Sequence, residues 1–330
     1  MLILSFSDVE KALPVKDCIS AVHEAFEKFA SRRAAIAPTR IWHQFSADSA
    51  YIYAISAAIP EEDILVLKTL SVNWENTKKR RIPHQYGIIY LCENTTGVPV
   101  CIMDGVYITN IRTGAVGGLA ARYLARKDSR NVAVLGSREL ARYTLLALKE
   151  EVPSVGNVRV FSPTKKNREN FAEEMKDKVD ANISAVESVD QAVQGADIII
   201  TATAAHEPIL FKRHVNEGTL VISIGSDFEV EANVLGMSKV VAECEECKTF
   251  GKFGLALREG IMREHDLYAW LTDLVSGRKP GRVSSIDVMF FDSIGIAIED
   301  STPAWIAYEN SKKMGIGTEL DMYRGRRLWD

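Results

Sequence analysis

The chain has 330 residues, 47% of them hydrophobic and 25% charged, a balance that fits a globular protein and excludes a disordered one. Its length suits two domains. A formal net charge of −4 at pH 7 opposes general binding to nucleic acid or anionic membrane, and no run of about eighteen uncharged apolar residues is present to span a bilayer.

Residues 1–10 reach Asp8 and Glu10 without a basic flank or a long apolar core, so no signal peptide is expected. Residues 8–33 carry Val9, Leu13, Ala21, Val22, Ala25, Phe26 and Phe29 at helical spacing, which predicts one amphipathic helix, with Pro38 closing the region. Runs 51–56 and 64–69 are β-branched and aromatic and read as strands; 87–92 and 98–103, joined by a turn containing Gly97, read as a hairpin. The first hundred residues are therefore expected to form an α+β unit with an antiparallel sheet.

The texture changes near Thr113. Residues 114–126 predict a helix rich in small residues, suited to close packing and to carrying the chain into a second domain. Apolar strands at 131–136, 158–162, 181–186, 197–201, 220–225 and 239–242 then alternate with helices at 139–150, 165–178 and 189–195. That alternation predicts an α/β fold of Rossmann type, a doubly wound parallel sheet. A helix over 304–314 is expected to pack back on the first domain. The boundaries read as 1–117 with 303–330 for the first domain, and 118–302 for the doubly wound domain.

The cysteines are Cys18, Cys92, Cys101, Cys244 and Cys247, an odd and scattered set that fits reduced thiols in a cytoplasmic protein. Cys244-Glu-Glu-Cys247 has the spacing of a redox or zinc motif, but no second pair of cysteines or nearby histidines completes four ligands. They read as two ordinary thiols near a helix start, and no metal is expected.

In an open α/β sheet, ligands bind beyond the carboxyl ends of the strands. Those ends are Gly136-Ser-Arg-Glu-Leu-Ala141, Ser162-Pro-Thr-Lys165, Thr201-Ala-Thr203 and Gly225-Ser-Asp227. The first leads into a helix whose free N–H groups suit a pyrophosphate, so Gly136, Ser137, Arg138 and Glu139 are candidate cofactor residues. Arg138 stands where G-x-G-x-x-G/A has its second glycine; it either lends its charge to the phosphates or weakens dinucleotide binding. Ser162, Thr164 and Lys165 begin a segment with no carboxylate and three nearby cations, which leans from NAD towards NADPH; exposed lysines at a solvated helix start are the alternative.

In the first domain, Arg112 lies just ahead of the small-residue helix and Arg40 follows Pro38-Thr39; either arginine suits a forked hold on a carboxylate, or a structural ion pair. Lys68 interrupts an apolar strand. If buried, it is a usable acid/base; if it faces outward, it is an ordinary strand lysine. His84 is either a proton carrier near Lys68 or a hydrogen-bonded loop residue.

The run 96–129, containing Met103-Asp-Gly105 and Thr109-Asn-Ile-Arg-Thr-Gly114, closely resembles the ornithine cyclodeaminase/mu-crystallin family, and its texture is that of the archaeal alanine dehydrogenase branch. Phe290-Phe-Asp-Ser-Ile-Gly-Ile-Ala-Ile-Glu-Asp300 resembles the same family's closing motif. The resemblance implies that Arg40 and Arg112 hold the substrate carboxylate, Arg112 also lying at the cofactor, and that Lys68 orients or protonates the reacting carbonyl or imine. It implies that Asp227 is the acid/base, that Thr203, Ser223, Gly225 and Ser293 lie near NAD or NADP, and that the protein is a homodimer through its first-domain sheet. The activity implied is reduction of an imino or keto acid, or oxidation of a small L-amino acid. A cyclodeaminase and a catalytically silent crystallin-like binding protein are the alternatives. Arg138, Leu140, Glu231 and Asn233 depart from the family pattern, and no carboxylate lies between Tyr51 and Ser56, where ornithine-specific members hold the distal amine.

Overall fold

The computed structural model describes residues 1–37, 40–46, 50–322 and 324, so Pro38, Thr39 and the last part of the tail lie outside the described residues. The chain divides into two compact units, Met1–Thr109 with Ala297–Asp330, and Asn110–Ile296.

The first unit opens with β1 (Leu2–Leu4), α1 (Phe6–Ala12) and α2 (Val15–Ala30). The single helix expected over 8–33 is thus two helices. Pro14 lacks an N–H and disfavours helical backbone before it, so Leu13 turns to φ −128 and ψ 86 and ends α1. Ser5 and Asp8 form a reciprocal cap at the start of α1. The strands follow as β2 (Ala35–Ile36), β3 (Ile41–Ser46), β4 (Ala50–Ile59), β5 (Ile64–Asn73), β6 (Gln85–Glu93) and β7 (Pro99–Asp104). Helix α3 (Gly105–Leu124) then crosses from the first unit to the second. It begins nine residues before the expected start at 114, because the Asp104 carboxylate accepts the Tyr107 N–H at 2.7 Å and opens the helix there. Arg112 therefore sits within the helix and not ahead of it.

The second unit continues with β8 (Asn131–Leu135), α4 (Glu139–Glu151), β9 (Asn157–Phe161), α5 (Lys165–Lys176), β10 (Asn182–Ala185), α6 (Val189–Val193) and β11 (Ile198–Thr201). After β12 (Leu220–Ser223) come α7 (Ala232–Gly236), β13 (Lys239–Ala242), α8 (Gly251–Arg258), β14 (Ala269–Trp270), α9 (Leu271–Val275) and β15 (Met289–Asp292). The chain closes in the first unit with α10 (Ile298–Met314) and β16 (Thr318–Glu319).

The first-unit sheet runs β16-β1-β7-β6-β5-β4-β2, with β3 also paired to β4; β1 and β7 are parallel and the remaining pairs antiparallel. Alternation along β4 and β5 buries Tyr53, Ile55, Ala57, Val66, Lys68 and Leu70 on one face, where α10 packs, with α1 and α2 against α10. On the opposite face Ile41, Ala54, Thr69 and Ile88 form a cross-strand row, flanked by Ile52 and by Leu67. Ile41, Ile52, Leu67 and Ile88 are all exposed.

The second-unit sheet is wholly parallel, in the order β10-β9-β8-β11-β12-β15-β13-β14. Its first five strands follow the doubly wound order, so the direction of winding reverses between β8 and β11. The small-residue face of α3 packs on α4: a Cβ on Gly114 would lie 2.7 Å from the Tyr143 Cβ, and one on Gly118 would lie 2.8 Å from the Ala147 Cβ. β15, α7 and α8 were not expected. Among the described residues, no helix is long and apolar enough to cross a membrane.

Candidate active site

In the second unit the crevice beyond the carboxyl ends of β8 and β11 is where a doubly wound sheet binds its ligand. Gly136, at the end of β8, holds φ +121, and a Cβ there would run into the Ala202 carbonyl after β11. Only glycine serves both the backbone angle and the close approach. Ser137 follows, its hydroxyl 3.0 Å from that of Ser162 at the end of β9. Arg138 is the extended residue that begins α4; its side chain is exposed and does not cap the helix, and Glu139 is the first helical residue. The first-turn N–H groups of α4 therefore have no side-chain cap at a site suited to an anion. Thr164 begins α5 without capping it, Lys165 pairs with Glu169 at 3.8 Å, and Arg168 donates to the Ser162 carbonyl at 3.0 Å.

The loops after β11 and β12 are tied together by Glu229, which sequence reasoning missed. Its fully buried carboxylate accepts from Thr201 Oγ1 at 2.7 Å, Ser223 Oγ at 3.3 Å and the Gly225 N–H at 3.0 Å. It also accepts from the Thr203 N–H at 2.8 Å and Thr203 Oγ1 at 2.7 Å. Thr203, Ser223 and Gly225, expected beside the cofactor, thus use their polar groups to fix the shape of the two loops. Lys252, itself buried, donates to the Gly225 carbonyl at 2.9 Å.

A second buried carboxylate, Glu243, does the same after β15. It accepts from Ser293 Oγ at 2.7 Å, the Ile294 N–H at 3.1 Å and the Gly295 N–H at 2.7 Å. Gly295 has φ +73, and a Cβ on it would lie 2.5 Å from Arg112 Nη1, so the guanidinium lies flat against this turn. Arg112, Ser293 and Gly295 are thereby brought together. Asp227 accepts the Gly251 N–H at 3.3 Å, at the start of α8. Asp292 accepts the Phe253 N–H at 2.9 Å and lies 3.9 Å from Lys252 Nζ. Burial pushes the Asp292 carboxyl up to about 6 against the downward pull of Lys252. Glu229, Lys252, Glu243 and Asp292 leave no mark in sequence patterning, since each is matched by a partner from a distant segment.

In the first unit Lys68 is buried on the face covered by α10, and its Nζ donates to Asp300 Oδ1 at 2.8 Å. The outward-facing reading of Lys68 is overturned, because alternation along β5 turns it inward between Ile55 and Ile89 of the neighbouring strands. Arg40 lies 5.3 Å over the Tyr53 ring, and Trp42, Tyr51 and Tyr53 stack beside it. His84 does not come to Lys68. It pairs its carbonyl with the Asn73 N–H at 2.7 Å and its ring with Trp74 at 4.8 Å. Five residues of extended strand, about 17 Å, separate that level from Lys68.

The five cysteines are buried and form no disulfide, and the Cys247 thiol is pushed well above its ordinary value by burial and by neighbouring Cys244, Asp292 and Glu243. It is a packed neutral thiol. Among the described residues, no group of three or more metal-ligating side chains converges.

With this geometry in place, residues 1–315 match the ornithine cyclodeaminase/mu-crystallin family. The chain is 29% identical to the alanine dehydrogenase of Archaeoglobus fulgidus, over 98% of this chain and 99% of that one. The solved structure of Thermococcus litoralis Δ1-pyrroline-2-carboxylate reductase, in complex with NADH and L-proline, superposes with a TM-score of 0.92 at 34% identity. That likeness covers 97% of this chain and 100% of the other. An archaeal alanine dehydrogenase dimer with bound NAD gives a TM-score of 0.91 at 29% identity, over 98% and 99% of the two chains.

Proposed function

From its place in the ornithine cyclodeaminase/mu-crystallin family, to which this chain belongs, we propose an NAD(P)-dependent oxidoreductase that reduces a small imino or keto acid, or oxidises the corresponding L-amino acid. The observation that carries this reading is the β8–α4 turn: Gly136 meets Ala202 at the switch point, ahead of helix N–H groups with no side-chain cap. Those features fit a dinucleotide pyrophosphate, and the tied loops at Thr203, Gly225 and Ser293 give the remainder a rigid floor.

When bound, the cofactor supplies hydride transfer at the nicotinamide ring. The chain's residues supply the rest. Arg112 and Arg40 hold the substrate carboxylate by forked, charge-assisted hydrogen bonds. Lys68 donates a hydrogen bond to the polarised carbonyl oxygen or imine nitrogen. Asp227, steadied by the Gly251 N–H, exchanges the proton. His84, stacked on Trp74, is left out of this scheme. Between the two nicotinamides we favour NADPH, since Ser162-Pro-Thr-Lys-Lys166 at the end of β9 offers no carboxylate to a ribose hydroxyl. The exposed apolar face of the first-unit sheet supports a homodimer, and five reduced, buried thiols support a cytoplasmic location.

The test is a fluorescence titration with NADH and NADPH, then turnover with Δ1-pyrroline-2-carboxylate and with pyruvate plus ammonia. Lys68→Ala and Asp227→Ala are expected to lower kcat by about a thousandfold or more while leaving the cofactor Kd within about threefold of wild type. Absence of binding by either nucleotide at millimolar concentration ends the proposal.

A further inference from the structure

We infer that Asp300 is a positioning residue that keeps Lys68 a fixed ammonium, so that Lys68 serves the reaction as a permanent donor and positive charge and retains its proton throughout turnover. The inference rests on the reading of Lys68 as part of the imino-acid site and assigns a role to Asp300, for which neither pattern nor spacing gave one.

The geometry is that of a buried ion pair made at long range. Lys68 on β5 and Asp300 in the first turn of α10 are both 0% exposed, stand 232 residues apart in the chain, and meet at 2.8 Å. Burial alone drives a lysine to give up its proton, whereas a carboxylate in contact favours the charged form. The start of a helix in turn favours a carboxylate at the position Asp300 occupies. The same unit thus encloses an ammonium and provides its counter-charge on a rigid element.

The remaining surroundings of Lys68 fit this role. The neighbouring strands place Ile55 and Ile89 on either side of it. Of the charged groups on elements packed against β5, Glu299 is buried next to Asp300 on α10, and Glu93 lies at the far end of β6, opposite Ile64. Glu61 and Glu62 in the turn after β4 pair with Arg33 and Lys28, and Arg40 is drawn to the Tyr53 ring. A lysine held in this way does not alternate between protonated and neutral forms during a catalytic cycle. That leaves Asp227 as the group through which the substrate proton passes, and it assigns Lys68 to polarising the carbonyl or imine.

The experiment is the pH profile of kcat/KM for imine reduction in wild type, Asp300→Asn, Asp300→Glu and the double variant Lys68→Arg with Asp300→Asn. With the counter-charge removed, Lys68 releases its proton more readily. Asp300→Asn should therefore lose activity on the basic side about one pH unit or more below wild type, and should lose about tenfold in kcat near neutrality. Asp300→Glu should recover most of that activity. The double variant, whose arginine does not deprotonate, should show no displaced basic limb. Loss of activity by one constant factor at every pH, or no loss at all, overturns the inference and leaves Asp300 a structural residue.

Should Asp300→Asn fail to fold, a titration of wild-type protein labelled with ¹³C at the lysine Cε carbons reads the charge directly, with the Lys68 signal assigned from Lys68→Arg. That signal should keep its charged-form shift through the neutral range, and a transition there overturns the inference. Failure of wild type to turn over any imino acid would count against the proposed function, while the labelled titration would still report on Lys68.

Discussion

Asp292 illustrates how a single residue can carry information that patterning conceals. It ends the fully buried strand β15 and belongs to a run that sequence reasoning treated only as a motif. Its carboxyl is held at about 6, against an ordinary value of 3.8, chiefly because it is buried. The folded protein thus keeps this proton up to about pH 6, while the unfolded chain releases it near 3.8. Between those values folding takes up a proton, so stability falls as pH rises and stays lowered above pH 6. The two pKa values set the loss on the order of 3 kcal/mol. Asp292→Asn keeps an oxygen for the Phe253 N–H and removes the titration. Urea unfolding at pH 4.5 and 6.5 should show wild type losing stability across that interval relative to the variant; parallel behaviour would refute the assignment. Lys252, Glu229 and Glu243 were equally hidden. Their charges are matched by partners far away in sequence, such as Ser293 fifty residues after Glu243, and no local signal encodes such a match.

At the level of elements, legibility depended on regular alternation. The strands from β8 to β13 are short apolar runs separated by polar helices, and their order in the chain alone predicted the parallel sheet. β15 escaped because it is entered from the long irregular stretch after α9 and inserts between β12 and β13, out of sequence order. α8 escaped because it opens on Gly251 and contains Gly254. The β8–α4 turn was legible as a phosphate loop, yet its departure at Arg138 left its competence open. The structure moves the question to Gly136, whose angle and contact with Ala202 set the turn. Gly136→Ala should cost about 1–3 kcal/mol of stability and weaken NAD(P)H binding by about tenfold or more, read by thermal melting and fluorescence titration. An alanine variant that binds as tightly as wild type would show that the turn does not approach the phosphates.

The whole molecule adds a constraint that neither residues nor elements supply alone. A sheet usually buries one face and wets the other, but the outward face of β3 to β6 carries Ile41 at 71%, Ile88 at 53%, Leu67 at 43% and Ile52 at 39% exposure. These side chains lie on adjacent strands and make this face rich in exposed apolar groups, interspersed with Ser56, Thr69 and Ser71, and an exposed apolar patch of this kind marks an interface. A second copy of the chain is the partner that the dimeric archaeal relative commends. Leu67→Glu with Ile88→Glu places like charges on both sides of such a contact, where the cost is paid by association and not by folding, since both side chains are exposed in the single chain. Sedimentation equilibrium should find wild type at twice the chain mass of 36.6 kDa and the double variant at that mass itself, with thermal unfolding of the separated chains still cooperative. A wild-type protein that sediments as one chain, or a double variant that still pairs, would mean that this face meets something other than its own copy.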